Sequence, residues 1–224
     1  MSQPLAIVAG AGPGLGQKLV RAFGEHGFNA YGLNRSVPLG ATSTLPVDLS
    51  IEAVTGRVLL DLIAAHGPPQ LVVHNAARLV ISNFESTTNA DFEATWRAMA
   101  LSAINVARVT LPAMAEAGGG TFIVSGATAS LRGGANFAAF ATAKAGLRAL
   151  TQSLAREYGP KGIHVAHVIL DGIVDTAASR DLHGLDPERM MKQEDIAQVY
   201  LSLFKQPRST WTHELDLRPM GEAF

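Results

Sequence analysis

The chain has 224 residues, 47% of them hydrophobic and 17% charged, with a formal charge of −1 and a pI of about 6.7. That length fits one large or two small domains, and a single α/β domain of this size buries about 70 to 75% of its unfolded surface without a covalent staple. The absence of cysteine excludes disulfides, thiolate catalysis and cysteine metal sites, and a charge near zero gives no general electrostatic case for nucleic acid or an anionic membrane.

The N-terminal run MSQPLAIVAGAG has no basic region before its apolar residues, so it does not read as a signal peptide, and no later apolar run reaches the roughly 18 residues of a bilayer span. A cytoplasmic protein with no membrane partner is the expectation. Seven histidines occur without HExxH spacing, and no metal is expected.

Leu5 to Ala9 is a short apolar run that enters GAGPGLG and then an amphipathic segment, Gln17 to Glu25, giving strand, tight turn and helix. Gly10 allows the turn, Gly14 lets the backbone approach a pyrophosphate, and Gly16 lets helix and strand pack closely. The helix N-terminus adds free N–H groups and the positive end of its dipole. A glycine-rich turn without a ligand is the alternative reading. A second strand, Phe28 to Leu33, ends in Asn34-Arg35. An acidic residue here would hold the ribose hydroxyls of NAD, and an arginine would hold the 2′-phosphate of NADP. The arginine is present and the carboxylate is not, so NADP(H) is favoured over NAD(H).

Thr44 to Val47 reads as a third strand closing in Asp48-Leu49-Ser50, with Ser50 placed to cap a helix from Ile51 to Ala65. Gln70 to His74 is a fourth strand, running into His74-Asn75-Ala76-Ala77. Continuous apolar strands alternating with helices imply a parallel sheet covered on both faces. Thr88 and Asp91 form a capping box for a helix reaching about Glu116. Thr121 to Val124 is a fifth strand. A helix from Asn136 stops near Tyr158-Gly159-Pro160, followed by a sixth strand at Ile163 to Leu170. Asp171 to Asp186 reads as a loop, Glu194 to Phe204 as a helix and Trp211 to Leu217 as a last strand. No repeat or linker interrupts the pattern, so residues 1–224 are expected to form one domain.

The stretch Ser125 to Arg148 carries the chemistry. On its helix Phe137, Phe140 and Lys144 are three and four residues apart and share one face, which sets a lysine on a phenylalanine wall. A surface lysine with its stem lying on apolar neighbours is the simple alternative.

Four features in order, Gly10-xxx-Gly14-x-Gly16, Asp48-Leu49, Asn75-Ala76-Ala77 and Lys144 inside a late helix, give a chain that resembles the short-chain dehydrogenase/reductase family over nearly its whole length. The resemblance implies a Rossmann-like doubly wound parallel sheet in three αβα layers that binds NAD(P) and moves hydride to or from a carbonyl or alcohol carbon. It implies that Gly10, Gly14, Leu15 and Gly16 cradle the cofactor, with Asn34 and Arg35 at its adenosine ribose. Asp48 and Leu49 would contact the adenine, Asn75 and Ala76 the adenosine side, Lys144 the nicotinamide ribose and Thr176 the nicotinamide amide.

The family's tyrosine, serine and asparagine would stand at the positions of Phe140, Ala127 and Met99, none of which moves a proton usefully. Asn105, six residues past Met99, faces elsewhere on the helix. Ser125, Thr128 and Ser130 lie near Ala127, and of these Ser125 is retained as a candidate catalytic group. His74 and Asp171, at strand ends, are the other candidate acids. Two readings follow. One is an NADP(H)-dependent oxidoreductase with a non-standard or impaired active site, its pocket made apolar by Met99, Leu131, Phe137 and Phe140 and suited to a hydrophobic carbonyl substrate. The other is an NADP(H)-binding pseudoenzyme with a structural or sensing role. Small residues on the helix ending at Glu116 and on the helix from Asn136 allow close helix approach, and these helices form the dimer face in the resembled family, so a homodimer or homotetramer is expected.

Overall fold

The computed structural model describes residues 3–222. Seven strands, Leu5–Ala9 (β1), Asn29–Asn34 (β2), Thr44–Pro46 (β3), Leu71–His74 (β4), Gly120–Ser125 (β5), Ile163–Leu170 (β6) and Glu214–Leu217 (β7), form one sheet in the order β3-β2-β1-β4-β5-β6-β7. Every neighbouring pair is parallel. Among the described residues the helices are Leu15–Glu25 (α1), Glu52–His66 (α2), Asn89–Trp96 (α3), Ser102–Glu116 (α4), Ala138–Tyr158 (α5), Ala177–His183 (α6) and Gln193–Phe204 (α7).

The apolar runs decide the layering. In β1 every residue is buried because successive side chains enter opposite layers. Leu5, Ile7 and Ala9 pack with Leu59, Leu111 and Leu147 from α2, α4 and α5. Ala6 and Val8 pack with Leu19 and Phe23 of α1 and Tyr200 and Leu201 of α7. Burying a leucine or isoleucine in this way contributes about 1.5 to 3 kcal/mol. The result is the expected doubly wound αβα arrangement.

After β1 the chain builds β2 and β3 outward on one side, then returns to lay β4 on the other side, with Ala9 opposite His74 at the carboxyl ends. That reversal leaves a crevice between the diverging connections. The Thr88–Asp91 capping box forms as expected: the Asp91 N–H donates to Thr88 Oγ1 at 3.1 Å and the Thr88 N–H to Asp91 Oδ2 at 3.2 Å.

Several expectations are corrected. Ser50 does not cap α2, because its hydroxyl and N–H both donate to Asp48 Oδ1, at 2.7 and 2.9 Å, and Ile51 takes the cap position. The segment 171–186 is not all loop: Thr176 accepts the Ser179 N–H and starts α6, which left-handed Gly184 ends. The helix expected from Asn136 starts at Ala138, with Asn136 at φ 69° and Phe137 as the cap residue. The long helix to Glu116 is interrupted by a wide π turn at Arg97–Leu101. The last strand is shorter than Trp211 to Leu217, pairing only over Glu214–Leu217. The helical stretch Asn89–Glu116 does reach the length and apolarity of a membrane span, contrary to the reading of apolar runs. Its apolar window is 56% buried within the fold, which fits a core helix.

Candidate functional site

A cleft of about 820 Å³ opens at the carboxyl ends of β1 to β4. Its floor is the turn between β1 and α1. Gly10 sits at φ 95°, and a Cβ there would lie 2.3 Å from the Ala76 nitrogen, so the glycine is required both by backbone angle and by the loop after β4. At Gly16 a Cβ would lie 2.3 Å from the Gly10 carbonyl oxygen, which is the close contact of helix and strand that the motif implies. No side chain caps α1, whose N-terminus at Gly14 opens onto the cleft, a place suited to an anion.

The cleft brings together Gly10, Gly14, Leu15 and Gly16 from the turn, Asn34 and Arg35 from the end of β2, Asp48 and Leu49 after β3, Asn75 and Ala76 after β4, and Thr176 from the far wall. The two asparagines are held by local bonds. Asn75 donates from Nδ2 to the Gly10 carbonyl at 3.2 Å, and Asn34 donates to the Ser36 carbonyl at 2.8 Å. Asn105 donates to the Leu49 carbonyl at 3.0 Å, so α4 fixes the Asp48-Leu49 loop. Thr176 Cγ2 stands opposite Gly14, where an added Cβ would lie 2.9 Å from it. The Ser50 hydroxyl holds the Asp48 carboxyl below the usual range, with smaller pulls from the Ser50 N–H and from the Arg35 and Arg97 guanidiniums.

Lys144 is not among the residues lining this cleft. It is only 3% exposed, and its Nζ donates to the Ser125 carbonyl at 2.7 Å and lies 5.7 Å from the centre of the Phe140 ring. Burial pushes its pKa down to about 8. The phenylalanine wall is real for Phe140, whereas Phe137 lies outside the helix.

Met99, expected to make the pocket apolar, is fully buried in the core and is not among the residues lining the cleft. Ser125, the retained candidate, lies at the end of β5. Its hydroxyl is 2.8 Å from the Tyr200 hydroxyl, both groups are buried, and burial pushes the Tyr200 pKa up. Ala127 is half-buried, and its N–H donates to Ser130 Oγ at 3.1 Å.

His74, a candidate acid, and His167 are both buried and hydrogen-bonded within the fold. His74 is fully buried, its Nε2 2.8 Å from Ser102 Oγ, and burial together with the Lys144 charge pushes it down to about 3. Ser102 itself donates to the Ala98 carbonyl at 2.7 Å, so His74 Nε2–H is the donor to Ser102. His167 Nε2 is 3.1 Å from Ser130 Oγ, and burial pushes its pKa down to about 4. Asp171 is buried, accepting from the Thr128 hydroxyl and lying 3.0 Å from Arg218. Sequence reasoning missed Arg78, Arg97 and Ala98, which also line the cleft. The signal was available in Ala94, Arg97 and Ala98, three and four apart on one helical face. Among the described residues no cluster of three metal-ligating side chains occurs.

A model of the short chain dehydrogenase family matches residues 4–184. The chain belongs to that family. Among curated relatives, it is 29% identical to the probable galactose dehydrogenase GalD of Rhizobium meliloti, over 79% of this chain and 73% of that protein. It is 25% identical to the 3-oxoacyl-[acyl-carrier-protein] reductase FabG of Chlamydia trachomatis, over 88% of each chain. Among solved structures, a short-chain dehydrogenase from Rhodopseudomonas palustris superposes with a TM-score of 0.81 at 32% identity, covering 96% of this chain and 98% of that one. A metagenomic short-chain oxidoreductase in complex with NADP shares the fold, with a TM-score of 0.81 at 23% identity and 97% of each chain covered.

Proposed function

We propose that residues 1–224 form one NADP(H)-binding domain of a short-chain dehydrogenase-type oxidoreductase whose proton-transfer groups are non-standard or impaired. The observation that carries this reading is the cleft, which collects every residue assigned to the cofactor except Lys144. The required glycines at 10 and 16 and the uncapped α1 N-terminus fit a pyrophosphate. Arg35 at the end of β2 favours NADP(H) over NAD(H), in keeping with the NADP complex of the metagenomic relative.

Bound there, the cofactor would supply or accept the hydride. Phe140, Ala127 and Met99 stand where the family's tyrosine, serine and asparagine are expected, and none offers an exchangeable proton. Lys144 would reach the nicotinamide ribose from its place beside Ser125. General acid–base help is worth roughly 10² to 10⁴ in rate, so its loss cripples turnover while sparing binding.

The inward bond of Lys144 to Ser125 favours a second reading, an NADP(H)-binding pseudoenzyme with a structural or sensing role. A panel of carbonyls and alcohols separates the two, run on the native chain and on Met99→Asn, Ala127→Ser, Phe140→Tyr combined. Weak native activity and a clear gain in the triple variant support an oxidoreductase with impaired chemistry. No native turnover at all, with cofactor bound, supports the pseudoenzyme, and a native rate that drops on Phe140→Tyr overturns the account of a missing hydroxyl. A small, apolar carbonyl compound is the proposed substrate class, because Leu131, Phe137 and Phe140 are apolar groups near the missing hydroxyl. A homodimer or homotetramer in the cytoplasm is the proposed state, and a 23.6 kDa particle in sedimentation at tens of micromolar would contradict the oligomer.

A further inference from the structure

The adenosine side of the cleft carries more positive charge than the β2 arginine alone supplies. Arg97 lines the cleft from the start of the π turn, and its guanidinium and that of Arg35 both act on the Asp48 carboxyl from opposite walls. On the helical face turned to the cleft, Arg97 lies between Ala94 and Ala98. Those two cleft-lining neighbours carry only methyl groups. Met99 and Ala100, next in the same turn, are buried in the core and anchor the turn's backbone. Arg35 and Arg97 are both exposed, and Asp48 Oδ1 already accepts from Ser50, so two guanidiniums face one carboxylate with a single oxygen engaged. Arg78, the third arginine of the cleft, is 3.5 Å from Asp91 and belongs to that pair.

We infer that Arg97 is a phosphate ligand, closing with Arg35 around a phosphate on the adenosine ribose and setting the preference for a phosphorylated ribose from the α4 side of the cleft. The inference rests on the reading of the cleft as a dinucleotide site and adds a residue on a different element from the β2 arginine. Two guanidiniums from opposite walls can share the phosphate oxygens by charge-assisted hydrogen bonds, each geometrically specific. The contact would leave Asp48 free to accept from the base.

Calorimetric titration of the full chain tests it with adenosine 2′,5′-bisphosphate and adenosine 5′-monophosphate, which differ by one ribose phosphate. Native protein is expected to bind the bisphosphate at least about tenfold more tightly, the scale of one charge-assisted contact. Arg97→Ala should cost the bisphosphate about tenfold and leave the monophosphate within twofold, with Arg35→Ala behaving alike. Arg97→Lys should recover part of the loss. An equal loss for both nucleotides would mean that Arg97 packs on the adenine, and no loss for either would mean that it is a solvated side chain. Each result overturns the inference while leaving the dinucleotide site standing. If neither nucleotide binds native protein, the dinucleotide reading itself fails and takes the inference with it. Arg97 is exposed, so its replacement should leave the fold intact, and an unchanged unfolding midpoint checks this directly.

Discussion

Lys144 donates from Nζ to the backbone carbonyl of Ser125 at 2.7 Å, across the junction of α5 and the end of β5. A carbonyl and the Phe140 ring, in place of a carboxylate, receive a cation that burial pushes from 10.5 down to about 8. Between those values the folded chain holds fewer protons on Lys144 than the unfolded chain does, so wild-type stability rises with pH from about 8 to about 10.5. Lys144→Met should therefore stabilise the apo chain by about 1 to 3 kcal/mol near neutrality. The gain should shrink toward zero above pH of about 10. Urea unfolding at several pH values measures this, and the same variant should bind NADPH more weakly if Lys144 serves the ribose.

The turn between β1 and α1 gives a matched pair of substitutions. Gly16→Ala places a methyl 2.3 Å from the Gly10 carbonyl oxygen, where backbone must move, whereas Gly12→Ala meets nothing nearer than Asn34 Oδ1 at 4.0 Å. The first should lower stability by about 2 kcal/mol or more and abolish NADPH binding. The second should leave the unfolding midpoint within about 0.5 kcal/mol and alter only cofactor affinity.

The buried histidines predict an early acid limb. His74, at about 3, and His167, at about 4, are both depressed from 6.5 by burial. Unfolded chain takes up these protons first, so stability is present above about pH 6.5 and falls as pH drops, by about 1.4 kcal/mol per pH unit for each histidine. The carboxylates Asp48 and Glu214, held low by Ser50 and Arg148, respond only at more acid pH. His167→Gln should reduce the slope between about pH 6 and 4.5, read from urea midpoints. An unchanged slope would mean that His167 is solvated in the folded chain.

Met99 sets a limit on restoring family chemistry. Its side chain has 0% exposure, so Met99→Asn buries an amide among apolar groups and should cost about 2 to 4 kcal/mol. Ala127 and Phe140 are half-buried, and Ala127→Ser with Phe140→Tyr should be tolerated within about 1 kcal/mol. The double variant is then the more stable vehicle for a gain in carbonyl reduction, measured as NADPH oxidation, and a gain confined to the triple variant would show that the amide matters more than the hydroxyls.

The layers were legible because β1 and β4 are apolar at nearly every position, a pattern that only a sheet covered on both faces satisfies. The lining of the cleft was legible because glycine, asparagine and arginine positions are tied to strand ends, and strand ends are fixed by the apolar runs. The face that Lys144 shares with Phe140 was legible, but its bond to the Ser125 carbonyl was not, because sequence spacing gives a helix face and not a rotamer. Met99 was expected to line the pocket and instead lies in the core, in a π turn at Arg97–Leu101 that the residue pattern does not reveal, whereas Arg97 was legible from its spacing with Ala94 and Ala98 and was overlooked. For α6 the signals were present in Thr176 and Gly184, but the segment is only seven residues long, too short to show a period.

Fluorescence titration of the full chain with NADPH and with NADH tests the central claim most directly. The account predicts saturable binding of NADPH, tighter than NADH, with the difference lost in Arg35→Ala. Absence of saturable binding of either nucleotide at submillimolar concentration would contradict it.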